Sequence, residues 1–370
     1  MIELDDVEAA REAIAGRLYR TPTIPSATLG ELVGARAFLK AELFQKTGSF
    51  KPRGVLTNLA ALTPEERSRG VIGISAGNHA QALAWGASNE GLDALLVMWR
   101  GASEAKIAAT RGYGAEVDLE AVGPAEAFVR LEELQAQTGR TLVHPFDHPR
   151  TIAGQGTVGL ELLEDVPETD VVVVPIGGGG LIAGVATAVA GRARVVGVEP
   201  ETSPAMFEAF AALEPVPVTP RSVADGLNAP FAGTNTLAVA LERVDALVLV
   251  TDAEIEEAMR FLYARAKLAC EPAGAAATAA LLAGKVPLEG GETVVAVVSG
   301  GNVVAETALL SWPGDEGRDP SRVRPRDRSL RLRHGVSDAL DQARAARRGV
   351  LELPPVLHGQ AEAHGQRRPS

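Results

Sequence analysis

The chain has 370 residues, 46% hydrophobic and 22% charged, which is the composition of a globular protein large enough for two compact domains. The net charge of −11 and pI of about 5.2 argue against nucleic acid or an anionic membrane as the main partner, and no apolar run approaches the roughly 20 residues of a membrane span, so we expect a small-molecule ligand. The single cysteine, Cys270, cannot form an internal disulfide and the acidic first residues do not resemble a signal peptide, so we expect a cytoplasmic protein.

Short runs rich in valine and isoleucine alternate with alanine-rich stretches between residues 37 and 309, and glycine usually marks the change. This alternation predicts an α/β fold with a parallel sheet. A helix is expected after most strands, and the absence of a long linker favours two interleaved lobes. The predicted strands, in chain order, are 37–43, 71–74, 94–98, 116–119, 171–175, 195–198, 246–250 and 293–298.

The last part of the chain, 313–370, differs in composition from the rest. It contains twelve arginines, eight acidic residues and no lysine, with many prolines and glycines. We expect a mostly disordered tail. A nucleic-acid role for the tail is not favoured, because no aromatic residue follows Trp312 to stack on bases.

Lys51 is the first candidate catalytic residue, one of six lysines in a chain with thirty arginines, and it lies in residues 47–54 (TGSFKPRG). Ser49 is predicted to cap a helix with Pro52 in its first turn, so Lys51 would lie at the positive end of a helix dipole. That position and partial burial favour the uncharged amine, which can form a Schiff base with a carbonyl. A solvated lysine at a helix start is the alternative.

A glycine run follows the predicted strand 171–175. Such a run at a helix N-terminus exposes a row of backbone N–H groups, which predicts an anion-binding loop. The loop lacks the Lys-Ser/Thr of a P-loop and the spaced glycines of a dinucleotide motif, so a phosphate monoester is the expected ligand. A merely tight turn is the alternative, although four glycines cost more backbone entropy than such a turn requires. The loop consists of Gly177, Gly178, Gly179 and Gly180, followed by Leu181.

Two more polar loops follow predicted strands: residues 75–80 (SAGNHA) and residues 299–302 (SGGN). Ser75 and Asn78 can present side chains and N–H groups to a carboxylate, although for Ser75 and Ser299 a capped helix start is an equally good interpretation. Open α/β sheets bind ligands at the carboxyl ends of their strands. An amine, a phosphate loop, a carboxylate loop and a hydroxyl together predict a site for pyridoxal phosphate.

In this order and spacing, over residues 19–311, the four motifs resemble those of the serine/threonine dehydratases, members of the fold-type II (tryptophan-synthase-β-like) pyridoxal-phosphate enzymes. The resemblance implies two open, twisted, mostly parallel sheets flanked by helices, with the cofactor between a large domain (1–69 and 149–312) and a small domain (70–148). It extends to four shorter motifs: 144–147 (HPFD), 152–157 (IAGQGT), 223–226 (VADG) and 271–272 (EP).

The resemblance also implies a role for each site residue. Lys51 would form the Schiff base with the cofactor, Phe50 would pack on its ring, Asn78 would meet the ring hydroxyl and Ser299 the pyridine nitrogen. Glu271 would shape the ring pocket, with a helix-start carboxylate as the alternative. The expected phosphate-binding residues are Gly177, Gly178, Gly179, Gly180 and Leu181. The expected substrate-binding residues are Ser75, Ala76, Gly77, Asn78, His79, Asp225 and Gly226.

The implied reaction is β-elimination from L-threonine, L-serine or both, giving 2-oxobutyrate or pyruvate and ammonia. A dehydratase of another β-hydroxy amino acid, such as 3-hydroxyaspartate, is the alternative, and a cationic side chain in the substrate pocket would favour it. Related racemases carry a second serine where this chain has Ala76, which disfavours racemisation. A binding protein without turnover is disfavoured by the intact set of Lys51, Ser75 and Asn78.

The resemblance carries three further expectations. Metal-dependent relatives place two carboxylates after a strand, whereas this chain has Glu199 and then Ala205, so no metal site is expected. The tail does not resemble the regulatory domain of biosynthetic threonine dehydratases. A homo-oligomer, dimer or tetramer, is also implied.

Overall fold

The structure is a computed structural model and describes residues 1–303. Two sheets confirm the α/β fold predicted from the sequence. The strands are β1 (Thr23–Pro25), β2 (Arg36–Ala41), β3 (Val71–Ile74), β4 (Ala94–Trp99), β5 (Glu116–Ala121), β6 (Thr141–Leu142), β7 (Val171–Pro175), β8 (Arg194–Pro200), β9 (Ala246–Val250) and β10 (Thr293–Val298).

Helices cover the sheets. The α-helices are α1 (Leu4–Ala13), α2 (Ala27–Val33), α3 (Pro52–Ala60), α4 (Pro64–Arg69), α5 (Asn78–Asn89), α6 (Glu104–Gly112), α7 (Pro124–Thr138), α8 (Pro149–Asp165), α9 (Gly180–Ala188), α10 (Ala205–Ala212), α11 (Thr234–Arg243), α12 (Asp252–Phe261) and α13 (Pro272–Leu282). Short 3₁₀ turns occur at Glu42–Phe44, Lys46–Gly48 and Asp225–Leu227, and a π-helical turn at Leu262–Ala266. No helix among residues 1–303 has the length and apolarity needed to cross a membrane.

The larger sheet has six strands in the order β1-β2-β10-β7-β8-β9. Its strand pairs are parallel except for β1, which runs antiparallel to β2. The smaller sheet has four parallel strands in the order β5-β4-β3-β6. The strands of the larger sheet lie within residues 23–41 and 171–298, and those of the smaller sheet lie within residues 71–142. We therefore propose a large domain (1–69 and 149–312) and a small domain (70–148). The tail 313–370 and the end of the large domain lie outside the described residues.

Strands β7, β8 and β10 of the larger sheet are rich in valine because both faces of the sheet are covered there. In β10, Val294 and Val298 belong to one hydrophobic cluster, whereas Val295 and Val297 belong to the cluster on the opposite face. A strand buried on both faces needs apolar side chains at every position instead of alternate ones.

Four predicted strands, 71–74, 171–175, 246–250 and 293–298, match the structure. The prediction 37–43 was wrong at its end, because the chain turns into the 3₁₀ segment Glu42–Phe44. The strands β1 and β6 were missed, since strands of three and two residues carry too little periodic pattern to be recognised.

The topology brings three predicted loops to one edge of the larger sheet. In the parallel register, Val298 at the end of β10 lies opposite Ala41 at the end of β2, and β7 pairs with the other side of β10. The Lys51 segment follows β2, residues 299–302 follow β10, and the glycine loop follows β7. The smaller sheet contributes the loop between β3 and α5.

Candidate active site

Lys51 lies directly before helix α3, whose first residue is Pro52. Its Nζ donates a hydrogen bond to the backbone carbonyl of Pro145 at 2.9 Å and lies 5.1 Å from the centroid of the Phe50 ring. Burial lowers the pKa of Lys51 to about 8, and the negative charge of Glu271 opposes this shift. The structure therefore holds an amine that loses its proton more readily than an ordinary lysine.

The prediction that Ser49 caps helix α3 was wrong. Ser49 is extended (φ −162°, ψ 166°) and forms an isolated antiparallel bridge with Gly300, so the helix begins later. The Ser49 hydroxyl is buried and has no hydrogen-bond partner among residues 1–303. Lys51 itself occupies the N-cap position of α3, and burial is the main cause of its lowered pKa.

Arg53 anchors the helix start that carries Lys51. Its guanidinium is 1% exposed and makes two hydrogen bonds to Glu42 (Nε to Oε2 and Nη2 to Oε1, each 2.8 Å). Two more hydrogen bonds reach Glu161, from Nη1 at 2.7 Å and from Nη2 at 2.8 Å. Such bidentate pairs fix both distance and orientation, so α3 is tied to the segment after β2 and to helix α8.

Asn78 joins three segments of the candidate site. Its Nδ2 donates to Glu271 Oε1 at 2.5 Å, and its Oδ1 accepts from Asn302 Nδ2 at 2.8 Å. Asn302 Nδ2 also donates to the carbonyl of Thr47 at 2.7 Å, just before the Lys51 segment. The two partners fix the orientation of the Asn78 amide.

Glu271 precedes helix α13 and is 2% exposed. Burial is the main cause of its pKa being raised to about 7, the nearby charge of Asp225 raises it further, and the hydrogen bond from Asn78 opposes the rise. The side chain does not cap the helix that follows it. The absence of a cap disfavours the helix-start interpretation, and the place of Glu271 in the ring pocket stays a prediction.

The glycine loop joins strand β7 to helix α9, which begins at Gly180. The backbone N–H groups of Gly177, Gly178 and Gly179 donate to no atom of residues 1–303, and the first N–H groups of α9 are free because no helical carbonyl precedes them. Gly179 has a φ of +95°, and a Cβ on Gly178 would lie 2.4 Å from the ring of Phe146. This loop offers several donors and the positive end of a helix dipole to an anion.

Ser299 follows strand β10 and is 4% exposed. Its Oγ has one recorded partner among residues 1–303, the carbonyl of Ala273 at 3.4 Å. That distance is at the long limit for a hydrogen bond, so the hydroxyl retains capacity for a ligand nitrogen. Its carbonyl accepts from the Phe50 N–H at 3.2 Å, which places it beside the Lys51 segment.

The loop after β3 holds Ser75, Ala76 and Gly77 and leads into helix α5. The Ser75 hydroxyl accepts from the Gly77 N–H at 3.0 Å. The His79 ring, in contrast, is 2% exposed and its Nε2 bonds the Val143 carbonyl at 2.8 Å. The backbone N–H of His79 lies in the first turn of α5, where it is available to a ligand.

Asp225 and Gly226 form a 3₁₀ turn against the same site. A Cβ on Gly226 would lie 2.9 Å from Ala273 Cβ and 3.9 Å from Glu271 Oε1. The Asp225 carboxylate forms an ion pair with Lys106 of helix α6. The turn therefore lies beside Glu271 and contacts helix α6 through Lys106.

Glu199 has a structural role in the described chain. Its two carboxylate oxygens accept the N–H groups of Met206 and Phe207, each at 2.8 Å, at the start of helix α10. Within residues 1–303 there is no cluster of three histidine, cysteine, aspartate or glutamate side chains that could hold a metal ion.

Two residues at this site were not predicted from the sequence. Asn302 belongs to the recognised motif 299–302, but its contacts to Asn78 and Thr47 depend on folding. No sequence pattern indicated a role for Lys106, apart from the rarity of lysine in the chain.

These groups fit an aldehyde cofactor with a single phosphate. The free N–H groups of residues 177–179 suit a phosphate monoester, the amine of Lys51 suits the aldehyde, and the Ser299 hydroxyl suits a ring nitrogen. The site is that of a pyridoxal-phosphate protein.

Comparison with known proteins identifies the family. The chain belongs to the pyridoxal-phosphate dependent enzymes, whose family description matches residues 14–300. It is 42% identical over 308 residues to an L-threonine ammonia-lyase of Thermotoga maritima, covering 82% of this chain and 76% of that protein. The predicted cofactor is thereby confirmed.

Two solved structures share the fold of this chain. A threonine deaminase from T.th. has a TM-score of 0.76 at 40% identity, covering 82% of this chain and 99% of that one. Maize serine racemase has a TM-score of 0.80 at 36% identity, covering 84% of this chain and 96% of that one.

Proposed function

We propose that this chain is an ammonia-lyase that converts L-threonine, L-serine or both to 2-oxobutyrate or pyruvate and ammonia. The observation that carries the proposal is the Lys51 amine, whose pKa burial lowers to about 8, beside the Asn78–Glu271 pair. The likeness to proteins named threonine ammonia-lyase and threonine deaminase supports it.

Bound pyridoxal phosphate supplies an electron sink that weakens the α-C–H bond of an amino acid. Lys51 is our candidate base for that proton. An amine with a pKa of about 8 is uncharged in a useful fraction near neutral pH, and it is still basic enough to accept a proton from carbon.

The start of helix α5 is our candidate site for the substrate α-carboxylate. The loop of Ser75, Ala76 and Gly77 leads into α5, and the N–H groups of Asn78 and His79 lie in its first turn, where no helical carbonyl accepts them. The helix dipole adds attraction for a negative charge. This contact would leave the β-hydroxyl free to depart.

Ser299 favours elimination over other outcomes. A serine hydroxyl can hydrogen-bond the pyridine nitrogen but does not hold a proton on it as a carboxylate would, so the electron sink stays weak. The β-hydroxyl leaves as water with one proton, which balances the proton that Lys51 takes from the α-carbon, and hydrolysis of the released enamine yields ammonia. Each substrate molecule therefore gives one 2-oxo acid and one ammonia.

Racemisation is the second candidate, because maize serine racemase is among the similar structures. Against it, the position after Ser75 is Ala76, whose methyl group cannot return a proton to the opposite face of the α-carbon. We expect Ala76→Ser to increase racemisation relative to elimination.

We further propose a cytoplasmic protein, since its single cysteine allows no internal disulfide, and a homo-oligomer, a dimer or a tetramer, on the strength of the family resemblance. Light scattering after size-exclusion chromatography gives the mass: a single subunit near 38.5 kDa would contradict this part of the proposal.

The test is turnover by the purified, cofactor-loaded protein with L-threonine and L-serine. We expect 2-oxo acid and ammonia in equal amounts, with D-amino acid formed far more slowly. A loaded protein that forms D-serine but no 2-oxo acid would favour the racemase, and one that forms neither would overturn both candidates.

A further inference from the structure

Lys106 and Asp225 form an ion pair that joins the part of the chain holding the smaller sheet to the part holding the larger sheet. Lys106 is on helix α6, beside the smaller sheet, and Asp225 is in the turn Asp225–Leu227, which packs on the larger sheet's loops. The Lys106 side chain is 16% exposed, whereas that of Asp225 is 57% exposed. The lysine therefore points inward, and its aspartate partner lies at the rim.

The Asp225 turn touches two parts of the candidate active site. A Cβ on Gly177 would lie 3.3 Å from Leu227 Cα and 3.4 Å from the Gly226 carbonyl oxygen. On its other side the turn contacts Ala273 and lies close to Glu271. The ion pair therefore borders the candidate active site, between the glycine loop and Glu271.

The charges of Lys106 and Asp225 both act on Glu271. The pKa of Glu271, raised first by burial, is raised further by Asp225 and lowered by Lys106. A ligand beside Glu271 would feel the same two charges. The two charges are opposite and paired, so we expect little net attraction for an additional carboxylate beside Glu271.

We propose that Asp225 sets substrate choice by neutralising Lys106, so that the enzyme accepts amino acids with an uncharged β-substituent and discriminates against dicarboxylic ones. This proposal rests on the proposed dehydratase function and specifies its substrate class. A second substrate carboxylate, as in 3-hydroxyaspartate, would have to compete with Asp225 for Lys106 and would be repelled by the Asp225 charge. Stability alone does not require the pair, because partly exposed ion pairs contribute little.

The test compares L-threonine with 3-hydroxy-L-aspartate in the cofactor-loaded wild type, Asp225→Asn, Lys106→Gln and the double variant. Asp225→Asn keeps the side-chain shape but frees Lys106, so we expect kcat/KM for 3-hydroxyaspartate relative to threonine to rise about fivefold or more, mostly through KM. In the double variant the cation is gone, and the ratio should return towards the wild-type value.

A matched control is Glu168→Gln, which removes an exposed ion pair with Arg36 before strand β7, at the opposite edge of the sheet. It should leave the substrate ratio unchanged. Inhibition by succinate, which cannot react, gives a binding readout: its Ki against threonine should fall in Asp225→Asn and not in Glu168→Gln.

Equal changes for both substrates in Asp225→Asn, with an unaltered succinate Ki, would mean that the pair only holds the structure and would overturn the proposal. That result differs from failure of the proposed function. In the latter case the loaded wild type would form no 2-oxo acid from threonine at all.

Discussion

The Asn78 amide donates to Glu271 Oε1 at 2.5 Å, and Glu271 in turn acts on the pKa of Lys51. Burial is the larger effect on Lys51 and lowers its pKa to about 8, while the Glu271 charge opposes it. Burial likewise lowers the pKa of His79 to about 3 and that of His144 to about 4, so neither ring titrates near pH 8. Glu271, whose pKa is raised to about 7, also titrates close to this range, so the Glu271→Gln variant is needed to assign a pH midpoint to the lysine.

The first prediction concerns capture of pyridoxal phosphate by the apoprotein. Only the uncharged amine attacks an aldehyde, so the capture rate should rise about tenfold per pH unit below the midpoint near pH 8 and level off above it. Stopped-flow absorbance over pH 6 to 10.5 measures this. A rate that still climbs steeply at pH 10 would mean that Lys51 has the pKa of an ordinary lysine.

The second prediction concerns Glu271→Gln. An amide can still accept the Asn78 hydrogen bond, but it lacks the charge that raises the Lys51 pKa. The midpoint of the same capture profile should therefore move to lower pH. Glu168→Gln, at the far edge of the sheet, serves as the control and should not move it. An upward shift in Glu271→Gln would refute the electrostatic link.

The third prediction compares two glycines with positive φ. A Cβ at Gly179 (φ +95°) would lie 2.5 Å from Met206 Cε and 2.7 Å from Thr236 Oγ1, whereas one at Gly191 (φ +72°) has nothing within 4 Å. Gly191→Ala should lower the free energy of unfolding by about 1 kcal/mol, from conformational strain alone. Gly179→Ala should lower it by about 2 to 4 kcal/mol, because overpacking is added to the strain.

Urea unfolding of the two alanine variants measures these free energies. Gly179→Ala should also weaken pyridoxal phosphate binding, since its N–H belongs to the glycine loop, while Gly191→Ala should not. Similar losses of stability in the two variants, with unchanged cofactor affinity, would argue against a tightly packed phosphate loop.

The fourth prediction concerns the buried ion pairs beside Lys51. Arg53→Met would leave Glu42, which is 0% exposed, without its cation, and breaking such a pair should cost about 3 to 5 kcal/mol of unfolding free energy. Arg130→Met, which breaks a pair with Asp118 on a guanidinium that is 29% exposed, should lower the unfolding free energy far less, because water screens the pair. If urea denaturation gives equal values, Arg53 does not anchor helix α3.

Much of the fold and site could be predicted because its signals are local. The valine run of β7 and the four glycines after it are adjacent in sequence, and together they specify a buried strand and a helix start. The order of the motifs along the chain then allowed the family to be recognised. The predicted roles of Lys51, the glycine loop and Ser299 stay predictions until they are tested.

The features that the sequence did not reveal depend on distant residues. Ser49 does not cap helix α3 because it forms an antiparallel β-bridge with Gly300. Arg53 meets Glu161 across 108 positions, and Lys106 meets Asp225 across 119. The His79 ring is buried and its Nε2 bonds the Val143 carbonyl, 64 positions on. No single-sequence pattern encodes these pairings.

The most direct measurement is a pair of lysine variants assayed with L-threonine. Lys51→Ala removes the amine proposed to hold the cofactor and take the α-proton, and Lys46→Ala removes a neighbouring lysine whose Nζ bonds the Tyr19 hydroxyl. Borohydride reduction, mass spectrometry and 2-oxobutyrate formation should show covalently trapped cofactor and turnover in the wild type and Lys46→Ala, and neither in Lys51→Ala. Trapped cofactor or undiminished turnover in Lys51→Ala would contradict the account.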